Sequence, residues 1–88
     1  MTTARLYQNA PNPWNSETVI RYNLPESVMH ADIYIYDMQG KQLKSIPAQG
    51  RGENRVTLTA HDLQAGMYIY ALVADGNLVD SKQMILTK

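Results

Sequence analysis

Two histidines, His30 and His61, are the side chains in this sequence best suited to hold a metal or move a proton near neutral pH. Zinc needs three or four ligands converging on one point. Only Asp32 and Asp62 stand beside the histidines in sequence, and no spacing joins the two halves. Solvated loop histidines are the expectation, with no metal and no cofactor. Ser16, Ser27, Ser45 and Ser81 include no Gly-x-Ser-x-Gly elbow. Gly50 and Gly52 flank Arg51, but no strand, loop and helix unit surrounds them to cradle a phosphate. Glu17, Glu26 and Glu53 fall at loop or strand boundaries, which gives no support to a paired-carboxylate glycosidase. An enzyme is not expected.

The aromatic set is six tyrosines and one tryptophan, with no phenylalanine, so binding by stacking is the remaining chemistry to weigh. Tyr34 and Tyr36 share one strand face, as do Tyr68 and Tyr70. Exposed tyrosine rows suit sugar or protein contacts. Tyrosines also fill the rim of a small sandwich, ring buried and hydroxyl wet, and Tyr68 and Tyr70 are read that way. Tyr34 and Tyr36 are left open between the two uses. Trp14 sits in Asn-Ala-Pro-Asn-Pro-Trp-Asn, a stretch stiffened by Pro11 and Pro13 and by asparagines able to form Asx-turns. Its ring is expected to cover one open end of the fold. The alternative is a platform for a sugar ring or a partner's loop.

The elements that must position these residues repeat with period two. Ile20, Tyr22 and Leu24 alternate with Val19, Arg21 and Asn23 until Pro25, which has no N–H for a ladder. Ala31, Ile33 and Ile35 alternate with Asp32, Tyr34 and Tyr36. Asp37 opens and Gly40 closes a turn within a hairpin connection over residues 37–41, and Leu43 is the expected inward anchor of the returning strand. Residues 47–54 read as a loop, with a proline and two glycines. Val56 and Leu58 mark a further strand and residues 61–66 a corner. Tyr68, Tyr70 and Leu72 face one way and Met67, Ile69, Ala71 and Val73 the other. Both faces are apolar, which places that strand centrally in its sheet. Residues 75–77, Asp-Gly-Asn, suit a tight hairpin into the last strand. No segment shows helical spacing. The whole reads as an all-β, immunoglobulin-like antiparallel β-sandwich of about seven strands. Leu63, Gly66 and Tyr68 resemble a tyrosine corner, in which a phenol bonds back to the backbone just upstream.

At 88 residues with zero formal net charge, the chain is one small domain without the basic face that nucleic-acid binding requires. It has no cysteine and no apolar run near the ~20 residues that span a bilayer. Neither nucleic acid nor membrane insertion is expected, and the isolated domain is expected to be a monomer. Met-Thr-Thr-Ala-Arg has no apolar core and does not read as a signal peptide. Residues 1–5 are read as a disordered start or an added cloning residue, and residues 6–88 as a single β-sandwich.

The last strand carries Lys82 and Lys88 around Gln-Met-Ile-Leu. One use is an edge protected by lysine against sheet-to-sheet aggregation. The other is a recognition strand whose backbone edge a receptor grips by strand addition.

Three ordered stretches, LYQNAPNPWNSETVIRYNLP, ADIYIYDMQGK and LQAGMYIYALVADGNLVDSKQMILTK, resemble the type A C-terminal sorting domain of the type IX secretion system. The similarity runs from Leu6 to Lys88. Trp14 stands where that family usually has phenylalanine, and Ser16 where proline is frequent. The resemblance implies a sandwich that escorts a larger, N-terminal cargo from the periplasm through an outer-membrane translocon of a Gram-negative bacterium. It also implies a surface peptidase that usually then removes the domain, with the cargo left at the cell surface or secreted. It maps recognition onto Gly66 and Tyr68 and onto the terminal strand, with Lys82, Met84, Ile85 and Lys88. It maps the turn onto Asp37 and Gly40, and the front loop onto Asn12, Pro13 and Trp14. The terminal strand is expected to complete the sandwich and offer its outer edge to the receptor. Two other uses fit the same fold: a structural C-terminal cap or assembly module, and a small carbohydrate-binding module built on Trp14, Tyr34 and Tyr36.

Overall fold

Alternating burial organises the chain into β1 (Arg5–Leu6), β2 (Glu17–Leu24), β3 (Ala31–Tyr36), β4 (Gln42–Pro47), β5 (Gly52–Thr59), β6 (Gly66–Ala74) and β7 (Asn77–Leu86). These elements come from a computed structural model that describes residues 3–61 and 63–88. The strands form two sheets, β1-β2-β5 and β4-β3-β6-β7, and every neighbouring pair is antiparallel. This is an immunoglobulin-like sandwich. β1 begins one residue before the expected opening at Leu6, and Tyr7 continues its line by donating its N–H to the Arg21 carbonyl at 3.1 Å.

The core is the inward half of each alternation. β2 contributes Ile20, Tyr22 and Leu24, β3 contributes Ala31, Ile33 and Ile35, and β6 contributes Tyr68, Tyr70 and Leu72. A fully buried Leu or Ile side chain stabilises by about 1.5–3 kcal/mol, so these few residues dominate a domain of this size. β6 lies between β3 and β7, the central place its two apolar faces require.

The turns follow their residues. Asp75 and Gly76 both have positive φ, 50° and 81°, the geometry of a two-residue hairpin whose twist matches the strands. The Asp75 carboxylate also accepts from the N–H groups of Met29 and His30, pinning the β2–β3 connection. At the other hairpin the Asp37 carboxylate accepts from Gln39 and Lys41 N–H, both at 2.9 Å, and Gly40 takes φ of 88°.

Two expectations are corrected. Leu43 is not the inward anchor of β4. Ile35 pairs with Lys44 and Tyr36 with Gln42, so Leu43 is the extra residue of a β-bulge and stands 38% exposed. Ile46, opposite Ile33, packs on the core instead. The loop expected over residues 47–54 is shorter, because Gly52, Glu53 and Asn54 already pair with Leu24, Asn23 and Tyr22.

The corner between β5 and β6 includes Asp62, which lies outside the described residues. Beyond it, the Tyr68 hydroxyl donates to the Gln64 carbonyl four residues upstream, closing a tyrosine corner.

Candidate functional site

β7 is one of the two edge strands of the four-stranded sheet and the place where the leading loop meets the chain's end. Its register with β6 places Met84 opposite Tyr68 and Ile85 opposite Met67. Met84 and Leu86 therefore face the core, while Ile85 faces out and is 38% exposed. From Ser81 onward the β7 ladder thus sets two classes of residue by alternation, after a register shift at Val79.

The outer edge of β7 is not open along its last residues, contrary to the sequence-based expectation. Trp14 forms a parallel bridge with Leu86. Its N–H donates to the Ile85 carbonyl at 2.9 Å, and its carbonyl accepts from Thr87 N–H at 2.7 Å. Asn12 Oδ1 accepts from Ile85 N–H at 3.0 Å, and Gln8 Nε2 donates to the Gln83 carbonyl at 2.7 Å. The front loop, 73 residues away in sequence where Asn12 meets Ile85, lies along the edge as a clasp. Met84 is likewise closed: its side chain is 0% exposed, and it acts from within the core rather than at the surface.

Trp14 is 1% exposed, its ring sealed inside the sandwich. It cannot stack on a sugar, and this removes the central residue of the carbohydrate-binding alternative. Tyr34 and Tyr36 remain half-buried neighbours on the outer face of β3, with ring centroids 6.3 Å apart and planes tilted by 45°.

A buried polar knot holds the loop in shape. Tyr70 Oη accepts from Asn9 N–H at 2.7 Å and donates to the Tyr7 carbonyl at 2.8 Å. Asn9 Nδ2 donates to Thr18 Oγ1 at 3.0 Å and to the Pro11 carbonyl at 3.1 Å, and Thr18 Oγ1 donates to that same carbonyl at 2.8 Å. Asn9 and Thr18 are both buried, so these bonds replace water that cannot enter. Burial pushes the Tyr70 phenol up to about 12; the Asn9 N–H works against this and the Asp80 carboxylate adds to it. Asn9 and Thr18 were not singled out from the sequence. One signal was available: Thr18 occupies the inward phase of Ile20, Tyr22 and Leu24, where a hydroxyl needs a partner.

The remaining site residues divide by position. Gly66 is exposed at the start of β6. Lys82 reaches Asp80 at 3.4 Å. Lys88 is exposed, and its Nζ donates to the Leu63 carbonyl, tying the chain end to the corner. Pro13 is exposed between Asn12 and Trp14. His30 pairs with Asp32 at 2.9 Å near the Asp75 hairpin, whereas His61 follows β5 at the opposite end, beside Ser16 and Lys88. Among the described residues no three metal-ligating side chains gather.

A tyrosine-cornered sandwich whose edge strand is clasped by its own leading loop defines an immunoglobulin-like module. A family model described as a secretion system C-terminal sorting domain matches residues 9–87, and the chain belongs to that family, the C-terminal sorting domains of type IX secretion. Its fold is similar to part of the crystal structure of dimeric latent PorU from Porphyromonas gingivalis, with a TM-score of 0.81 and 21% identity. That likeness covers 96% of this chain and 9% of that one, and at this identity it concerns the fold. No match to a curated protein sequence was found.

Proposed function

We propose that this chain is a delivery label that takes a larger, N-terminally attached cargo from the periplasm across the outer membrane by type IX secretion. Its partners are the outer-membrane translocon, which recognises the terminal strand, and a surface peptidase that then removes the label. The cargo ends at the cell surface or in the medium. The observation that carries this reading is the position of β7, an edge strand to which the family's front motif is fastened. Two motifs at opposite ends of the domain thereby form one surface. Within it, Ile85 is exposed, Lys88 is exposed with its Nζ on the Leu63 carbonyl, Lys82 is half-buried beside Asp80, and Gly66 and Asn12 lie alongside. Tyr68 and Met84 hold the strand in register from inside.

The test is delivery of a reporter that carries an export signal and ends in this domain. Deleting residues 81–88 also removes Met84 and Leu86 from the core, so the deciding variant must spare both. Lys82→Glu changes a half-buried position of β7 and Ile85→Glu an exposed one. The folded double variant is expected to leave the reporter in the periplasm, and full surface display of it overturns the proposal.

A further inference from the structure

Four outward backbone groups of β7 between Ser81 and Ile85 are bonded, three of them by side chains. In an antiparallel pair the N–H and C=O of one residue point to the same side, and neighbouring residues alternate. Ile85 turns both groups away from β6, toward Asn12 and Trp14. Gln83 and Ser81 therefore point the same way. The Gln83 carbonyl is met by Gln8 Nε2 at 2.7 Å, and Ser81 N–H donates to Asp80 Oδ1 at 2.8 Å. The side chains of Asp80, Gln8 and Asn12 thus stand where the backbone of a neighbouring strand would stand. All three bonds are solvent-exposed. The Trp14 bonds differ, because they are backbone bonds of a residue whose ring is locked in the core.

We propose that the edge of β7 from Ser81 to Ile85 is a capped strand-addition site. An extended polypeptide segment takes the place of the Asp80, Gln8 and Asn12 side chains, and Trp14 fixes where the added strand must stop. The exchange keeps the number of hydrogen bonds, and exposed side chains leave at little cost. Until then the caps protect the edge from pairing with other copies. That the segment belongs to the secretion machinery rests on the function proposed above; the capping of the edge does not.

A second copy of the chain is the probe for the bare edge. The triple variant Gln8→Ala, Asn12→Ala, Asp80→Ala is expected to keep its fold by circular dichroism. Its Ile85 amide should exchange with deuterium roughly fivefold faster or more, since exchange there follows local opening. In sedimentation velocity it should self-associate where the unchanged chain sediments as a monomer. Adding Gln83→Pro removes an outward N–H without taking a bond from β6, a change an edge strand tolerates, and should restore the monomer. A folded triple variant that stays monomeric, or association indifferent to Gln83→Pro, overturns the proposal. If the triple variant loses its fold, Asn12→Ala alone decides, and unchanged exchange at Ile85 is the refuting result. A reporter assay separates the two levels. Loss of delivery in folded Gln83→Pro supports strand addition, and unchanged delivery in it refutes strand addition as the mode of sorting. Failure of the unchanged domain to deliver removes the sorting function, and the self-association result still decides the capped edge.

Discussion

Trp14 brackets Leu86: its N–H bonds the carbonyl of the residue before and its carbonyl bonds the N–H of the residue after. The leading loop and the trailing strand therefore hold each other, and Leu86 is pressed into the core at the junction. Leu86→Ala is expected to cost about 2–5 kcal/mol, the range for emptying a buried leucine site. Ile85→Ala, one residue away but facing out, is expected to cost under about 1 kcal/mol, as surface changes do. Urea unfolding of both variants checks the contrast. Equal costs would mean that β7 is not held in the register described.

The indole Nε1 of Trp14 is buried and lacks a hydrogen-bond partner. An unpaired buried donor costs roughly 1–3 kcal/mol. Trp14→Phe removes that donor while giving up part of the ring's volume, and the two effects oppose each other. The variant is expected to unfold within about 1 kcal/mol of the unchanged chain, whereas Trp14→Ala should lose about 3–5 kcal/mol. Thermal denaturation of the two gives the comparison.

Period-two burial made the strands legible, because one face of each sheet is dry and the residue pattern must report it. Ile20-Tyr22-Leu24 and Ala31-Ile33-Ile35 were readable for that reason. Leu43 was not, since a bulge inserts one residue and inverts the phase without a local mark. The clasp was hidden for a different reason. Asn12 and Ile85 meet across 73 residues, and a stiff Asn-Pro loop announces its rigidity but not its partner. The edge position of β7 was legible, and the closure of that edge was not.

The Asp37 turn separates a side-chain effect from a backbone effect. Asp37→Ala loses the acceptor for two N–H groups, and about 1–2 kcal/mol is expected at this exposed site. At Gly40 an added Cβ meets nothing within 4 Å, so Gly40→Ala is penalised through φ alone. That left-handed conformation costs roughly 1–2 kcal/mol for a residue with a side chain. Each is expected to lower the midpoint by several degrees, at about 4–8 °C per kcal/mol for a domain of this size. Gly40→Asn, which tolerates positive φ better, should recover part of the loss.

Tyr70 links the knot to alkaline stability. Burial disfavours the phenolate and pushes its phenol up from the ordinary 10.0 to about 12. A raised folded value means that the unfolded state gives up its proton first. The stabilisation is complete below pH ~10 and is lost as pH rises toward ~12. Tyr22 is raised in the same direction, first by burial, so it adds to the fall in the same sense. Tyr70→Phe should flatten the fall between pH ~10 and ~12 without abolishing it. At neutral pH the same variant leaves Asn9 N–H and the Tyr7 carbonyl without their partner. A loss of about 2–4 kcal/mol is expected there, from two buried groups left unpaired. Urea unfolding as a function of pH measures both effects, and a Tyr70→Phe curve parallel to that of the unchanged chain above pH ~10 would contradict the assigned role.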